Sequence, residues 1–237
     1  RIGKIPTPHS FAVNVSDIDN DTLFRLDESF HRVRTIVLPI IREPKTLVPL
    51  TDYVDAREEC AHPKDRFTDE FPYIEIGSID KDYGFIRGAQ HIPVNEAPSR
   101  ARMTLRAGDV VLSSVRPFLG QCAIVGSEWD NAVGTTGFLV LATRKNIDGQ
   151  FINWLLRSEY CKWKMIMWCS GSTYPALVPT DLDRITVPKL SPREMAQFVA
   201  AMRPEWDTIE ALRLHLEKVS GEASTFIETE LQRGLKV

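Results

Sequence analysis

Residues 105–125, LRAGDVVLSSVRPFLGQCAIV, decide how the chain is read. Ala107-Gly108-Asp109 is turn chemistry, and it is followed by Val110, Val111 and Leu112, where β-branched residues favour a pleated surface. Ser113 and Ser114 end that apolar run, Arg116-Pro117 turns the chain, and a second apolar run opens after Gly120. This is the texture of strand, turn and strand. Upstream, the runs 72–80 (PYIEIGSID) and 83–88 (YGFIRG) are also short, apolar and bounded by turn residues, and predict further strands. Downstream, 136–143 (TGFLVLAT) is almost wholly apolar in its second half, as in a strand covered on both faces.

Helical patterning flanks this strand-rich region. Asp148 is placed to cap one helix running through Trp168, with Phe151, Ile152, Leu155, Leu156, Trp163 and Ile166 on a broad apolar face. A loop of small residues and prolines then leads to a short strand, 185–190 (ITVPKL). Near the N-terminus, Asp27 and Ser29 can cap a helix with Phe30, Val33, Val37 and Ile40 on its apolar face, ended or kinked by Pro39. The last region begins with Pro192 in a first helical position, is expected to break at Pro204, and then resumes. There Ile209, Leu212, Leu216, Val219, Ala223 and Phe226 alternate spacings of three and four, a heptad seam for one partner helix. Packing of this helix on its own domain and pairing with another chain both fit that pattern. The expected architecture is α+β: a mixed β-sheet domain with packed helices over 1–190, of which 1–46 is an N-terminal helical segment, then a long coiled-coil-type helix over 191–237.

Composition narrows the function. A chain of 237 residues with 43% hydrophobic residues can bury a sizeable core. The longest apolar run, 36–41, is far too short for a bilayer, and a cytoplasmic protein is expected. The spacing of Cys60, Cys122, Cys161 and Cys169 suggests neither disulfides nor a zinc site, so reduced core thiols are expected. The net charge of −3 argues against a surface that grips nucleic acid all over. Locally, residues 81–117 hold six basic against three acidic residues, whereas 192–233 hold five against eight. That asymmetry fits an anion-facing region and a protein-facing one, and equally fits ordinary solvated faces.

Equipment for catalysis is not evident. The sequence has no glycine-rich cofactor loop, no GxxxxGK[ST], no adenine-extruding motif and no GxSxG. Its five histidines are scattered, and Cys60 with His62 makes only a lone C-x-H, so neither a metal nor a cofactor is expected on this chain. Glu58-Glu59 and the Asp181, Asp183 pair read as exposed loop acids. Ser170-Gly171-Ser172 reads either as a helix C-terminal turn or as small residues able to approach a phosphate.

Taken in order, 105–125, GTTGFLVLATR (134–144), INWLLRSEY (152–160), the loop and strand 169–195, and a long helix resemble a target recognition domain of type I restriction-modification specificity subunits. RLDESF (25–30) resembles the opening of such domains. There are two departures: this chain carries one domain and one long helix where the family usually has two of each, and Met195 follows Glu194 where a glutamine is usual. The sequence begins at Arg1, which fits an excised half-subunit and a naturally short one alike. The resemblance implies a non-catalytic subunit that reads one half of a split double-stranded DNA site and docks an adenine methyltransferase subunit, with the restriction subunit as a further partner. S-adenosylmethionine would then sit on the methyltransferase, and a second copy of this chain is a possible partner.

For DNA contact, Lys81, Arg87, Arg100, Arg102 and Arg116 are candidates toward phosphate or guanine, with Gln90, His91 and Asn95 toward base edges. Ser170, Ser172 and Thr173 are candidates toward phosphate. Arg116 also fits a structural role, tying a turn through backbone carbonyls. For the partner or dimer helix the candidates are Ile209, Leu212, Leu216, Val219 and Phe226. A fragment of a single-chain restriction-methyltransferase, an adaptor for another defence nuclease and a protein-binding scaffold are the competing readings.

Overall fold

A computed structural model describes residues 33–37, 46–171 and 173–234. The expected caps Asp27 and Ser29, with Phe30 and Ile40, lie outside these residues, as does Ser172. The chain divides into two units, 1–192 and 193–237. The architecture is α+β with mixed sheets and a long C-terminal helix.

The first unit is built on two four-stranded sheets. In one, β2 (Val54–Arg57), β9 (Phe138–Thr143), β6 (Val110–Ser113) and β7 (Cys122–Ile124) lie side by side, all antiparallel. In the other, β4 (Gln90–Pro93), β3 (Glu70–Ile74), β8 (Val133–Thr135) and β5 (Ala101–Thr104) are joined in that order, with β3 and β8 parallel. The hydrophobic core holds Val111, Ala123 and Val140 from the first sheet with Ile74 and Met103 from the second. The period-two alternation of strands then sends Val110, Leu112, Leu139 and Leu141 to the opposite face, where α1 (Gly149–Arg157) packs on β6 and β7. All four are buried, so β6 and the first part of β9 are covered on both sides, as the apolar run 136–143 predicts. The second sheet has its own outer core of Phe71, Tyr73, Ala101 and Val133.

A third pairing closes the unit. β1 (Leu47–Pro49) runs antiparallel to β10 (Thr186–Pro188), in register Leu47 with Pro188. The Tyr53 hydroxyl reinforces it, donating to Pro188 O (2.9 Å) and accepting from the Leu190 N–H (2.7 Å).

Asp148 caps α1 by accepting from the Gln150 N–H at 2.7 Å. The expected single helix is in fact two, because α2 (Glu159–Trp168) restarts after Ser158. Ser158 is extended (ψ 149°), and its hydroxyl accepts from the Cys161 N–H. A serine followed by glutamate is an N-cap signal, here masked by unbroken apolar spacing. Residues 83–88 are likewise no strand: Gly84 at φ 74° makes a turn, and only an isolated bridge joins Ile79 to Ile86. Asp181 is buried rather than exposed, accepting from the Val178 N–H and pairing with Arg184. Cys60 is an exposed thiol rather than a core one, its Sγ 3.4 Å from Met103 Sδ.

The second unit consists of most of α3 (Pro192–Gly234), which passes through Pro204 without a break. A proline removes one backbone bond to the carbonyl four residues earlier. Ala200 and Pro204 are both exposed, so water can take that carbonyl. On the heptad seam Leu212, Leu216, Val219 and Phe226 are 64%, 70%, 45% and 67% exposed, and Ile209 is half-buried. The polar faces carry Arg213–Glu217 and Lys218–Glu222 pairs at i, i+4. No helix among the described residues is long and apolar enough to cross a membrane.

Candidate nucleic-acid interface

The motif that opened the sequence reading separates in space into a buried anchor and an exposed edge. Asp109, from the Gly-Asp turn, is buried; it accepts from Arg57 Nη2 (2.9 Å) and Nε (3.1 Å) and from the Arg106 N–H (3.2 Å). The Arg57 pKa is raised by its hydrogen bond to Asp109, against the opposing effect of burial. This pair bolts β2 to the turn before β6.

The exposed edge begins where β6 ends. Ser114 donates both its N–H and its hydroxyl to Gly137 O, at 2.8 and 2.9 Å, and Val115 bridges to Ala176. Arg116 sits at φ 48°, a left-handed conformation unusual for a residue with a side chain. It is held there by its own N–H to Pro175 O (2.7 Å) and its Nη2 to Thr173 O (2.9 Å). Its guanidinium lies 5.1 Å from the centre of the exposed Tyr174 ring. Ser170 and Ala176 exchange backbone hydrogen bonds, which pins the two ends of the loop together, with Gly171 at φ 95°. Arg116 therefore ties the loop through two donors, to Pro175 O and Thr173 O, and its side chain remains exposed.

The same hydrogen-bonded edge reaches further candidates. Arg100 O accepts from the exposed Thr136, next to Gly137, and the Arg100 side chain is exposed with no partner among the described residues. A β-carbon on Gly120 would sit 3.0 Å from Lys81 O, so the exposed Lys81 belongs to the turn packed beside the 3-10 turn Pro117–Leu119. Arg100, Arg116, Ser170, Thr173 and, at one end, Lys81 are thus linked segment by segment.

Four of the remaining candidates, Arg87, Arg102, Gln90 and His91, are already engaged. Arg87 grips Asp80 Oδ2 through Nε (3.1 Å) and Nη2 (2.9 Å). Burial works against the Asp80 charge, yet the N–H groups of Tyr83 and Asp82 and the Arg87 guanidinium outweigh it and hold that carboxyl below its usual range. Arg102, on β5, donates through Nη1 to the carbonyl of its own strand neighbour Ala101 (2.7 Å). On edge strand β4, Gln90 meets Glu75 (3.2 Å) and His91 Nδ1 lies 3.1 Å from Glu70. The positive segment 81–117 is therefore partly neutralised in place, since Arg106 also pairs with Glu59 (2.6 Å). Asn95 is exposed on the turn after β4.

Sequence reasoning missed Tyr174, Tyr83 and Leu119, which are large and exposed on these same segments. Tyr174, between small polar residues and Pro175, carried a readable signal as a lone aromatic in a loop.

Two four-stranded sheets, a loop tied against the end of a central strand and a long helix define a mixed α+β domain with a helical extension. No family model matches the sequence, and no curated protein does. Among solved structures, the HsdS subunit from Thermoanaerobacter tengcongensis superposes with a TM-score of 0.61 at 28% identity, covering 71% of this chain and 43% of that one. A chain from the complex assembly and conformational transition of the type I restriction-modification system superposes with a TM-score of 0.62 at 26% identity, covering 79% and 49%. The present chain thus spans under half the length of the chains it matches. These likenesses bear out the resemblance read from the sequence: the chain has the fold of a target recognition domain of type I specificity subunits.

Proposed function

We propose that this chain is a sequence-specific DNA-recognition subunit of a type I restriction-modification system. It reads one half of a bipartite site and positions an adenine methyltransferase subunit, and with it the restriction subunit, without performing chemistry itself. The observation that carries this reading is the locked edge formed by Ser114, Arg116 and the 170–176 loop. It presents a guanidinium, an aromatic face and the hydroxyls of Ser170 and Thr173 on a loop whose ends are tied by hydrogen bonds. Such groups suit phosphate and base-edge contacts, and the tied loop lowers the ordering cost of binding. Lys81 and Arg100 extend the cationic side of that edge, and Thr173 and Ser170 extend its hydroxyl side. The open seam on α3 supports docking of a helix from the methyltransferase or from a second copy.

Adenine-methylation maps of cells with and without the gene test the proposal. A methylated motif lost with the gene and regained on complementation is the expected result, and complementation with Arg116→Ala should restore it only weakly. Identical maps, together with no binding of the chain to duplex DNA at low salt, would refute it.

A further inference from the structure

The strongest feature that the proposed function does not use is the turn between β3 and β4. Its four successive carbonyls, on Lys81, Asp82, Tyr83 and Gly84, all accept hydrogen bonds from one face of α1. Arg157 Nη1 donates to Tyr83 O (2.7 Å), and its Nη2 donates to Asp82 O and Lys81 O. Asn153, fully buried one turn earlier, donates to Gly84 O (3.4 Å). On the other side of the turn, Asp80 accepts from the N–H groups of Asp82 (2.8 Å) and Tyr83 (2.9 Å). Gly84 is required: its φ is 74°, and a β-carbon there would lie 2.6 Å from Arg157 Nη1 and 2.8 Å from Cys122 O.

With every carbonyl turned inward, the side chains of Lys81, Asp82 and Tyr83 are all thrown outward, and Tyr83 is 47% exposed. The arrangement is costly. Arg157 forms no ion pair among the described residues, and its Nε and the Asn153 Oδ1 are sealed from solvent without a partner. Such support fixes the turn in one geometry, which is what a contact that must be presented in a single orientation requires. The turn also abuts the candidate interface, through Lys81 O beside Gly120 and through Gly84 beside Cys122 O.

We propose that Lys81-Asp82-Tyr83 is a preorganised specificity tip that reads base edges beside the Arg116 edge, and that Arg157 and Asn153 are its positioning residues. Lys81 faces phosphate, the Asp82 carboxylate suits the amino group of cytosine, and Tyr83 offers a hydroxyl and a ring to neighbouring bases. This rests on the DNA-recognition reading above.

The test selects from a pool of duplex DNA with a randomised segment, at about 50 mM salt. It uses the full chain as wild type, Asp82→Ala, Tyr83→Ala and Arg157→Lys, with sequencing of the bound duplexes. Wild type is expected to recover a motif. Asp82→Ala and Tyr83→Ala, both at exposed positions, should flatten the preference at one or two adjacent positions about tenfold or more and leave the rest of the motif intact. Arg157→Lys keeps the charge but cannot fork to three carbonyls; it should flatten the same positions and speed amide exchange at residues 82–84. A motif unchanged at every position in both alanine variants overturns the tip. Faster exchange in Arg157→Lys with an unchanged motif overturns the positioning role. A wild-type chain that selects no motif removes the recognition reading itself.

Discussion

Replacing Asp109 by alanine should unfold the first unit far more readily while leaving the proposed base preference untouched. The Asp109 side chain is 5% exposed, and it receives a two-pronged contact from Arg57, which is 28% exposed. Breaking a buried pair by removing one partner costs about 3–5 kcal/mol. Arg57 can rehydrate in part, and the Arg106 N–H lies in an exposed turn where water can replace the lost acceptor, so the lower end applies, about 3 kcal/mol. For a unit of this size that corresponds to a drop in Tm of roughly 6–12 °C. Arg57→Ala should cost at least as much, because it strands the less exposed charge. The double variant Arg57→Met with Asp109→Leu should regain much of the loss, since neither charge is then left alone. Calorimetry on the four proteins, together with selection from randomised duplex DNA, checks this. A Tm within about 3 °C of wild type for Asp109→Ala, or a changed motif at unchanged stability, would refute the placement of this aspartate as a bolt.

Titration of the native protein with a disulfide reagent should find Cys60 reacting quickly, while Cys122 and Cys161, whose thiols burial pushes up to about 12, react only on unfolding. Because the folded Asp80 carboxyl lies below its unfolded value, its contribution is complete above about pH 4 and is lost as pH falls through the folded pKa. Amide exchange at Asp82 and Tyr83, corrected for intrinsic rates, should rise in that window, and Asp80→Asn should exchange faster at neutral pH and lose the dependence. Leu216→Asp and Val219→Asp place charges in the open seam of α3. Light scattering should show any self-association or methyltransferase complex dissociating, with the Tm of the first unit unchanged; assemblies that persist in both variants would rule the seam out.

Much of the fold was legible because local chemistry and burial agree there. Asp148 caps as expected, and 138–141 is apolar because sheet and helix cover its two faces. The failures share a cause: apolar spacing continues across a break or a turn whose decisive residue is small. Ser158 interrupts an apolar helical pattern, and Gly84 bends a run that alternates like a strand. Pro204 shows the converse, a breaker overruled where the orphaned carbonyl faces water. For the interface, sequence identified the charges but not their pairings. Arg87 and Arg106 find acids at Asp80 and Glu59, seven and 47 residues away. Both acids lie outside the segment 81–117 whose charge suggested a patch, Asp80 by a single residue. Tyr83 and Tyr174 went unread because an aromatic side chain is expected inside.

The pairing of β1 with β10 brings together, as hydrogen-bonded neighbours about 4.8 Å apart, the two segments that bracket both sheets of the first unit. A chain that enters and leaves by the same doorway can be cut and rejoined there. A short flexible tether from residue 190 to residue 46, with new termini opened at the exposed Lys145-Asn146 turn, would give a circular permutant that retains every strand pairing of both sheets. Residues 46–190 thus hold both sheets between splice points on a single two-stranded ribbon, and Val33 and Val37, packed on Met167 of α2, would have to travel with any transplanted cassette.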